Sequence, residues 1–220
     1  MRPPLDLSVY LVTDTALCAE IGVVATVTAA VAAGASVVQV RDPSCADAEF
    51  VTLGRSITAV LLGTGVPLIV NDRVHLVEPI GANGAHIGQD DIDPGTARRM
   101  LGPDAVLGLS VQTVDHLAAA IALGTGVIDY LGVGPVWPQS TKPDAAAPAG
   151  LRRLREVSAR SPWPCVAIGG LDADRAPLAR RHGAAGVAVV SAICGRPDVA
   201  AATRRIRSAW DGAASAPRLG

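Results

Sequence analysis

Four polar residues stand in a row near the middle of the chain, just after a short apolar run that is broken by a Gly-Pro pair. They are Gln139, Ser140, Thr141 and Lys142. Lys142 is the only lysine, and the other eighteen residues of the Lys+Arg total of 19 are arginines. In a chain whose other basic residues are all arginine, a single lysine is more typical of a site that needs a compact, mobile ammonium than of a generic surface charge. A surface lysine without a function is the alternative.

Carboxylates follow two consecutive apolar runs of the sequence. Asp72 comes after residues 67–70, and Asp90 and Asp91 come after residues 84–87. If these runs are neighbouring strands, Asp72 and one of the two later aspartates lie about 5 Å apart, and they repel unless a proton or a cation lies between them. Because no His or Cys cluster is near, the oxygen ligands favour Mg²⁺ together with substrate phosphates.

Cations and backbone donors surround this predicted metal site. Arg41 and Lys142 are expected at the same end of the sheet, where they and Asn71 would form a cradle for a diphosphate. Gly169-Gly170 and Val190-Ser191 follow the last two apolar runs, a usual place for a phosphate held by backbone N–H groups. Singly, each motif is also a common turn or cap. Together they suggest a group transfer that releases pyrophosphate.

Eight short apolar runs precede these polar residues, and segments of helical pattern separate them. The predicted strands are residues 9–13, 36–40, 67–70, 84–87, 105–109, 130–133, 165–168 and 187–190. The predicted helices are residues 21–33, 46–62, 75–80, 94–101, 114–123 and 149–159, a helix capped by Asp172 that runs to His182, and residues 199–210. The pattern favours an α/β fold, a single-domain (β/α)8 barrel over residues 1–212 with a flexible tail at 213–220. An open doubly wound sheet is the alternative.

The composition excludes several classes of function. The net charge of −1 and a pI near 6.4 give no electrostatic footprint for nucleic acid or an anionic membrane. No apolar run is long enough to span a membrane, and the N-terminus lacks the apolar region of a signal peptide. The four cysteines are scattered without a CxxC pair, so neither a zinc site nor a disulfide framework is indicated. A cytoplasmic enzyme for small-molecule substrates is expected.

With these residues in view, the sequence resembles thiamine-phosphate synthase from residue 10 to residue 193. The matching segments are VVQVR (37–41), VNDR (70–73), HIGQDD (86–91), GLS (108–110), DYLGVGPVWPQSTKPDA (129–145), IGGL (168–171) and VVSAI (189–193). Several of them are long, and all stand in the order typical of the family.

The resemblance implies a (β/α)8 transferase that joins a hydroxymethylpyrimidine diphosphate to a thiazole phosphate with Mg²⁺. By analogy the pyrimidine diphosphate would be bound by Gln39, Arg41, Asn71, Ser110 and Lys142, of which Lys142, Arg41 and Ser110 would be catalytic. Asp72 and Asp91 would hold the metal. The thiazole phosphate would be bound by Gln139, Ser140, Thr141, Gly170, Val190 and Ser191. The family reaction is dissociative: pyrophosphate leaves first, and the thiazole nitrogen captures the cation. A homo-oligomer is possible.

Two positions depart from the family pattern. Pro43 stands where the family usually has a lysine, and Gln139 stands where it usually has a threonine. The first removes a cation from the diphosphate cradle, and the second places a larger amide at the thiazole end. Two other functions therefore stay open at this point: a related barrel with thiazole tautomerase chemistry, and a non-catalytic phosphate-binding barrel.

Overall fold

Strands and helices alternate along the chain, as the sequence predicts. The computed structural model describes residues 5–139, 141 and 147–215. The strands are β1 (Val9–Val12), β2 (Val37–Val40), β3 (Leu68–Asn71), β4 (Gly84–Ile87), β5 (Val106–Val111), β6 (Tyr130–Val133), β7 (Cys165–Ile168) and β8 (Gly186–Val189). The α-helices are α1 (Val23–Ala32), α2 (Asp47–Leu61), α3 (Val77–Ile80), α4 (Pro94–Leu101), α5 (Val114–Ala122), α6 (Gly150–Arg160), α7 (Ala176–Arg181) and α8 (Val199–Gly212). A turn of 3-10 helix, Val74–Leu76, leads into α3.

The eight strands form one closed parallel barrel in which each strand pairs with the next along the chain. The sheet closes between the first and last strands, where Leu11 lies opposite Val189. The prediction of a (β/α)8 barrel is confirmed, and the open doubly wound alternative is wrong. In a closed parallel barrel the carboxyl ends of all the strands surround a single mouth, so the loops that carry the predicted site share one rim.

Side chains alternate between the inside of the barrel and the layer beneath the helices. In β1, Tyr10 and Val12 belong to a small interior cluster, whereas Val9 and Leu11 belong to the large core between sheet and helices. Both faces of the strand are buried, which explains why the strands read as continuous apolar runs and not as an alternating pattern.

Several helices begin where the sequence places a capping residue. The carboxylate of Asp93 accepts the N–H of Thr96 at 2.8 Å, and Pro94 occupies the first turn of α4. Asp198 accepts the N–H of Ala201 at 2.8 Å at the start of α8. These side chains satisfy amides that the first turn of a helix leaves without a partner.

The predicted start of the seventh helix is wrong. Asp172 accepts the N–H groups of Asp174 and Arg175, at 3.1 and 2.9 Å, but residues 173–175 form a turn and α7 begins only at Ala176. An aspartate satisfies nearby amides in a turn as well as at a helix start, so the residue type alone does not distinguish the two.

The end of the chain continues past α8 with a turn of 3-10 helix, Ala213–Ser215, in which Ala213 is buried. The rest of the predicted tail, residues 216–220, lies outside the described residues. Among the helices that the structure describes, none combines the length and the apolar character needed to cross a membrane.

Candidate active site

A chain of hydrogen-bonded side chains crosses the inside of the barrel. Gln39 on β2 donates from Nε2 to the Tyr10 hydroxyl at 2.8 Å, and the Tyr10 and Tyr130 hydroxyls are 2.7 Å apart. The Tyr130 hydroxyl lies 2.9 Å from His86 Nδ1, and His86 Nε2 lies 2.9 Å from Ser110 Oγ. This series of hydrogen bonds therefore links Gln39 to Ser110 across five strands. Both residues are predicted to bind the same substrate.

One direction of donation satisfies every group in this chain. Gln39 donates to Tyr10, Tyr10 to Tyr130 and Tyr130 to His86 Nδ1, and His86 then donates from Nε2–H to Ser110. Burial raises the pKa of Tyr10 and of Tyr130 well above the usual value for a tyrosine. Both hydroxyls are therefore protonated at neutral pH, and they orient their neighbours without acting as bases.

Two glycines in neighbouring strands make room for these rings. A Cβ at Gly108 of β5 would collide with the Tyr130 ring and with His86 Nδ1, and a Cβ at Gly132 of β6 would lie 2.9 Å from His86 Cε1. The imidazole of His86 thus lies over backbone that carries no side chain. The GLS and LGV segments place glycine where the histidine needs space.

Asn71 ends β3, and Asp72 follows it in a tight turn. Asp72 has φ 59, a left-handed conformation that few residues other than glycine adopt. Its N–H donates to the carbonyl of His86 at 2.9 Å, and its Oδ2 accepts from Asn71 Nδ2 at 2.5 Å. Backbone conformation of this kind is maintained where the surroundings require it, and it is frequent at functional sites.

The loop after β4 is closed by the predicted metal ligand. Asp91 Oδ2 accepts the N–H of Gly88 at 2.7 Å, and Gln89 Nε2 donates to the carbonyl of Ser110 at 2.5 Å. Of the two candidate aspartates, Asp91 is the one whose carboxylate closes this loop. Asp72 and Asp91 therefore lie on loops that follow neighbouring strands.

Asn71, Asp72 and Asp91 would supply part of the ligand set of a Mg²⁺ ion. The donors are carboxylate and amide oxygens, which suit a hard cation. Within the described residues there is no group of three or more His, Cys, Asp or Glu side chains that could hold a metal ion without help. A Mg²⁺ ion at this rim would therefore depend on water and on substrate phosphate for its remaining ligands, as is usual for this ion.

Arg41 follows β2 at the same rim. Its backbone N–H donates to the buried Oγ1 of Thr13 at 3.0 Å, which fixes the start of its loop. Among the described residues its guanidinium forms no hydrogen bond or ion pair, although the residue is half-buried. A guanidinium without a protein partner at this rim is suited to an anionic ligand.

The loop with the atypical Pro43 is held by other side chains. The carboxylate of Asp42 accepts the N–H groups of Ser44 and Cys45, at 3.1 and 3.2 Å. Arg73, from the loop after β3, donates to the carbonyls of Asp42 and Cys45 at 3.2 and 2.8 Å. This loop is therefore tied to the Asn71–Asp72 turn.

The loops after β6 and β7 are joined by backbone hydrogen bonds. The N–H of Val136 donates to Ile168 at 2.9 Å, and that of Trp137 donates to Gly169 at 3.1 Å. Gly170 has φ 65, and a Cβ there would lie 2.7 Å from the Pro138 carbonyl. This position requires glycine for both its conformation and its contacts.

Arg175 fixes this pair of loops from the side. Its Nη1 donates to the Gly170 carbonyl at 2.5 Å, and its guanidinium carbon lies 5.3 Å from the centre of the Trp137 ring. An arginine in this geometry bonds one loop and stacks on the other. The predicted phosphate end therefore contains a cation that the sequence analysis does not identify.

The remaining predicted residues of this end lie on two segments. The Thr141 hydroxyl donates to Gln139 Oε1 at 3.0 Å, so the atypical Gln139 contacts a residue of its own loop. Val190 is half-buried and Ser191 is exposed at the start of the turn after β8. Ser140 and Lys142 lie outside the described residues, and their predicted roles stay predictions.

Three side chains of the barrel interior are not among the residues predicted from the sequence: Tyr10, Tyr130 and His86. A signal was present, because the chain has only two tyrosines and each lies within a predicted apolar strand. A tyrosine hydroxyl buried in such a strand requires a hydrogen-bond partner. In a barrel that partner is a side chain of another strand that also points inward.

Known proteins resemble this chain over most of its length. Residues 9–193 match the family described as thiamine monophosphate synthase. A thiamine-phosphate synthase of Azorhizobium caulinodans is 44% identical over 208 residues, which cover 94% of this chain and 97% of the relative. One of Xanthobacter autotrophicus is 46% identical over 209 residues, covering 95% and 98%.

A solved structure agrees with these matches. The thiamine phosphate pyrophosphorylase of Pyrococcus furiosus superposes with a TM-score of 0.84 at 29% identity, covering 95% of this chain and 98% of that one. The similarity thus extends over nearly the whole chain, including the rim that carries Arg41, Asn71, Asp72 and Asp91. The chain belongs to the thiamine monophosphate synthase family of enzymes.

Proposed function

We propose that this enzyme condenses 4-amino-5-hydroxymethyl-2-methylpyrimidine diphosphate with 4-methyl-5-(2-phosphoethyl)thiazole, with Mg²⁺, to give thiamine phosphate and pyrophosphate. The observation that carries the proposal is the guanidinium of Arg41, a half-buried residue on the rim that also carries Asp72 and Asp91. This guanidinium has no partner among the described residues. A cation and two carboxylates around one opening suit a metal-bound diphosphate.

The two substrates would bind on two different sides of the barrel mouth. Gln39 and Ser110 belong to the hydrogen-bonded chain at the barrel interior, beside the Asn71–Asp72 turn, and would bind the pyrimidine diphosphate. Gly170 and the turn at Val190-Ser191 follow β7 and β8, and would bind the thiazole phosphate through backbone N–H groups and the serine hydroxyl. The reacting carbon and nitrogen would then meet above the barrel axis.

The chemistry that we propose is dissociative. The bond from the pyrimidine methylene carbon to the diphosphate oxygen breaks first, and the thiazole nitrogen donates its electron pair to the cation that forms. Arg41 and Lys142 would stabilise the charge that develops on the departing pyrophosphate, which is an electrostatic contribution to catalysis. Asp72 and Asp91 would hold Mg²⁺, which when bound neutralises diphosphate charge. No general base is needed, because no proton is removed in the transfer.

A pyrophosphate-release assay with both substrates and Mg²⁺ tests the proposal. We expect release only when all three components are present. Asp72→Ala and Asp91→Ala should each abolish the Mg²⁺-dependent release while the fold is retained, because both residues are on exposed loops of the rim. Asp90→Ala is the matched control and should be milder, since only Asp91 matches the family's metal position.

Calorimetry separates the remaining alternatives. A synthase should bind pyrophosphate far better with Mg²⁺ than without it. Binding of the thiazole phosphate alone, with no effect of the metal, would instead indicate tautomerase chemistry. Binding of both ligands without turnover would indicate a non-catalytic barrel.

A further inference from the structure

Gln39 forms one end of the hydrogen-bonded chain inside the barrel, and its amide is only partly used there. One Nε2–H is donated to Tyr10, whereas Oε1 and the second Nε2–H have no partner among the described residues. The residue is only 5% exposed. Oε1 nevertheless reaches solvent, because the buried side-chain atoms without a partner in the part of the chain that the structure describes are Ser158 Oγ and Trp163 Nε1. An amide with a free edge at a barrel mouth is suited to a polar group of a ligand.

Ser110 forms the other end of the hydrogen-bonded chain, on β5, across the barrel from β2. Its Oγ lies 2.9 Å from His86 Nε2 and has no other partner within the described ranges. Its main-chain carbonyl accepts from Gln89 Nε2, so the backbone at this end is held in place. When His86 donates to Oγ, the proton of the serine hydroxyl stays available to a ligand.

The amide of Gln39 fixes the direction of donation along the whole series. Its nitrogen can only donate, and it faces the Tyr10 hydroxyl, so the Tyr10 proton must go onward to Tyr130. The Tyr130 proton then goes to His86 Nδ1, and the single proton of the neutral imidazole lies on Nε2. The opposite direction would point the Tyr10 O–H at an N–H. The group at one end therefore determines whether the other end presents a donor or an acceptor.

The three aromatic side chains between the two ends are packed so that this order of donors and acceptors is kept. The ring centres of Tyr10 and Tyr130 are 5.9 Å apart, and those of His86 and Tyr130 are 5.4 Å apart. Burial raises the pKa of both tyrosines, so each hydroxyl keeps its one proton. Because each hydroxyl has a single proton to donate, a reversal at one end must reverse every hydrogen bond up to the other end.

We propose that this hydrogen-bonded chain makes the mouth selective for a ring that carries an amino group beside a ring nitrogen, and against the corresponding oxo ring. Gln39 Oε1 accepts from the amino group, and the free Nε2–H donates to the adjacent ring nitrogen, as a glutamine does with adenine. The Ser110 hydroxyl donates to a second ring nitrogen. Tyr10, Tyr130 and His86 do not touch the ligand and act as positioning residues.

An aminopyrimidine has this pattern of one exocyclic donor and two ring acceptors, so the inference rests on the proposed function and adds to it the means of ring selection. In the oxo analogue the exocyclic oxygen accepts and the adjacent ring nitrogen carries a proton. Both groups of the Gln39 amide would then face a group of their own kind. A site with fixed hydrogen-bond partners rejects such an analogue strongly, because its buried polar groups are left unpaired.

The direction of donation is tested without any substrate. Nitrogen NMR of histidine-labelled protein at about pH 8 reports which ring nitrogen carries the proton, and comparison with His86→Gln identifies His86 among the four histidines. We expect the proton on Nε2. Gln39→Glu replaces the donor by a carboxylate that only accepts, so it should move the His86 proton to Nδ1, although position 39 does not touch the imidazole. Gln89→Glu is the matched control and should leave the proton on Nε2.

Ring selection is tested by calorimetry with Mg²⁺ and without the thiazole phosphate. We expect 4-amino-5-hydroxymethyl-2-methylpyrimidine diphosphate to bind about 10–100-fold more tightly than its 4-oxo counterpart, which is the discrimination of a good bidentate pair. Tyr130→Phe should lower this ratio and leave the binding of pyrophosphate unchanged. A merely structural role of Tyr130 would weaken both rings equally and keep the ratio.

Three results overturn the proposal: a proton on His86 Nδ1 in the wild type, a proton that stays on Nε2 in folded Gln39→Glu, or equal affinity for the two rings. The wild-type tautomer and the affinity ratio keep the test available if Gln39→Glu does not fold, which circular dichroism shows. The expected tautomer, and its reversal in Gln39→Glu, in an enzyme that binds neither ring would contradict the proposed function alone.

Discussion

Replacing Tyr130 by phenylalanine removes one oxygen from the hydrogen-bonded chain and leaves the ring in place. The lost hydroxyl lies 2.7 Å from the Tyr10 hydroxyl and 2.9 Å from His86 Nδ1. Each hydrogen bond contributes a net of about 0.5–1.5 kcal/mol to stability, so we expect the variant to lose about 2 kcal/mol. For a domain of this size that loss lowers the Tm by about 4–8 °C.

Two groups each lose one partner in this variant, because the Tyr10 O–H loses its acceptor and His86 Nδ1 loses its donor. Tyr10 keeps its hydrogen bond from Gln39, and His86 keeps Ser110. A buried group left without its partner costs about 1–3 kcal/mol, so about 2 kcal/mol is the lower end of the expected loss. Activity should fall as well, because His86 would lose the contact that fixes its ring relative to Ser110.

Thermal and urea unfolding of three variants measures this effect. Tyr10→Phe alone loses two contacts of the same chain, and the double variant with Tyr130→Phe should be more stable than the sum of the two losses predicts, because the shared bond is counted twice. Pyrophosphate release gives the kinetic parameters for each substrate. A Tm for Tyr130→Phe within about 1 °C of the wild type would refute the reasoning, since the chain would then contribute nothing measurable.

Three further changes test other parts of the site. Gly108→Ala puts a methyl group against the Tyr130 ring and should cost about 1–3 kcal/mol in urea unfolding; Gly126→Ala, with open space around its Cβ, is the control and should be near neutral. Arg175→Gln should raise the KM for the thiazole phosphate more than that for the pyrimidine diphosphate in steady-state kinetics, and equal effects on both would contradict its place at the phosphate end. Lys142→Ala should lower kcat by about 10²–10³-fold with a smaller effect on binding, and Lys142→Arg should restore only part. Wild-type turnover in Lys142→Ala would refute the catalytic role and indicate that Lys142 is an ordinary surface residue.

The sequence alone predicts the barrel and the rim of the site. Parallel strands covered by helices must be apolar on both faces, so eight such runs alternating with helical segments identify the strands to within one or two residues. The last strand, predicted at 187–190, is Gly186–Val189. Polar residues at the strand ends are equally visible, because all βα loops of a barrel open at one rim. Asp72, the Asp90–Asp91 pair and Gly170 are predicted on that basis, and the choice of Asp91 over Asp90 rests on the family resemblance.

The local sequence does not determine which of several structural roles a residue has. Asp172 satisfies two backbone amides, as a cap does, but the structure uses it in a turn and begins the helix at Ala176. The positive φ of Asp72 is equally invisible in the sequence. It depends on the hydrogen bond from the Asp72 N–H to a carbonyl on the neighbouring strand.

Contacts between distant residues are decided only by the tertiary structure. Tyr10 and Tyr130 are 120 residues apart, and they meet because both side chains point into a barrel that closes on itself. Which side chains point inward depends on strand register, and a shift of one residue would exchange the inner and outer faces. The sequence determines which residues are available at the rim and in the core, and the register and closure of the sheet determine which of them touch.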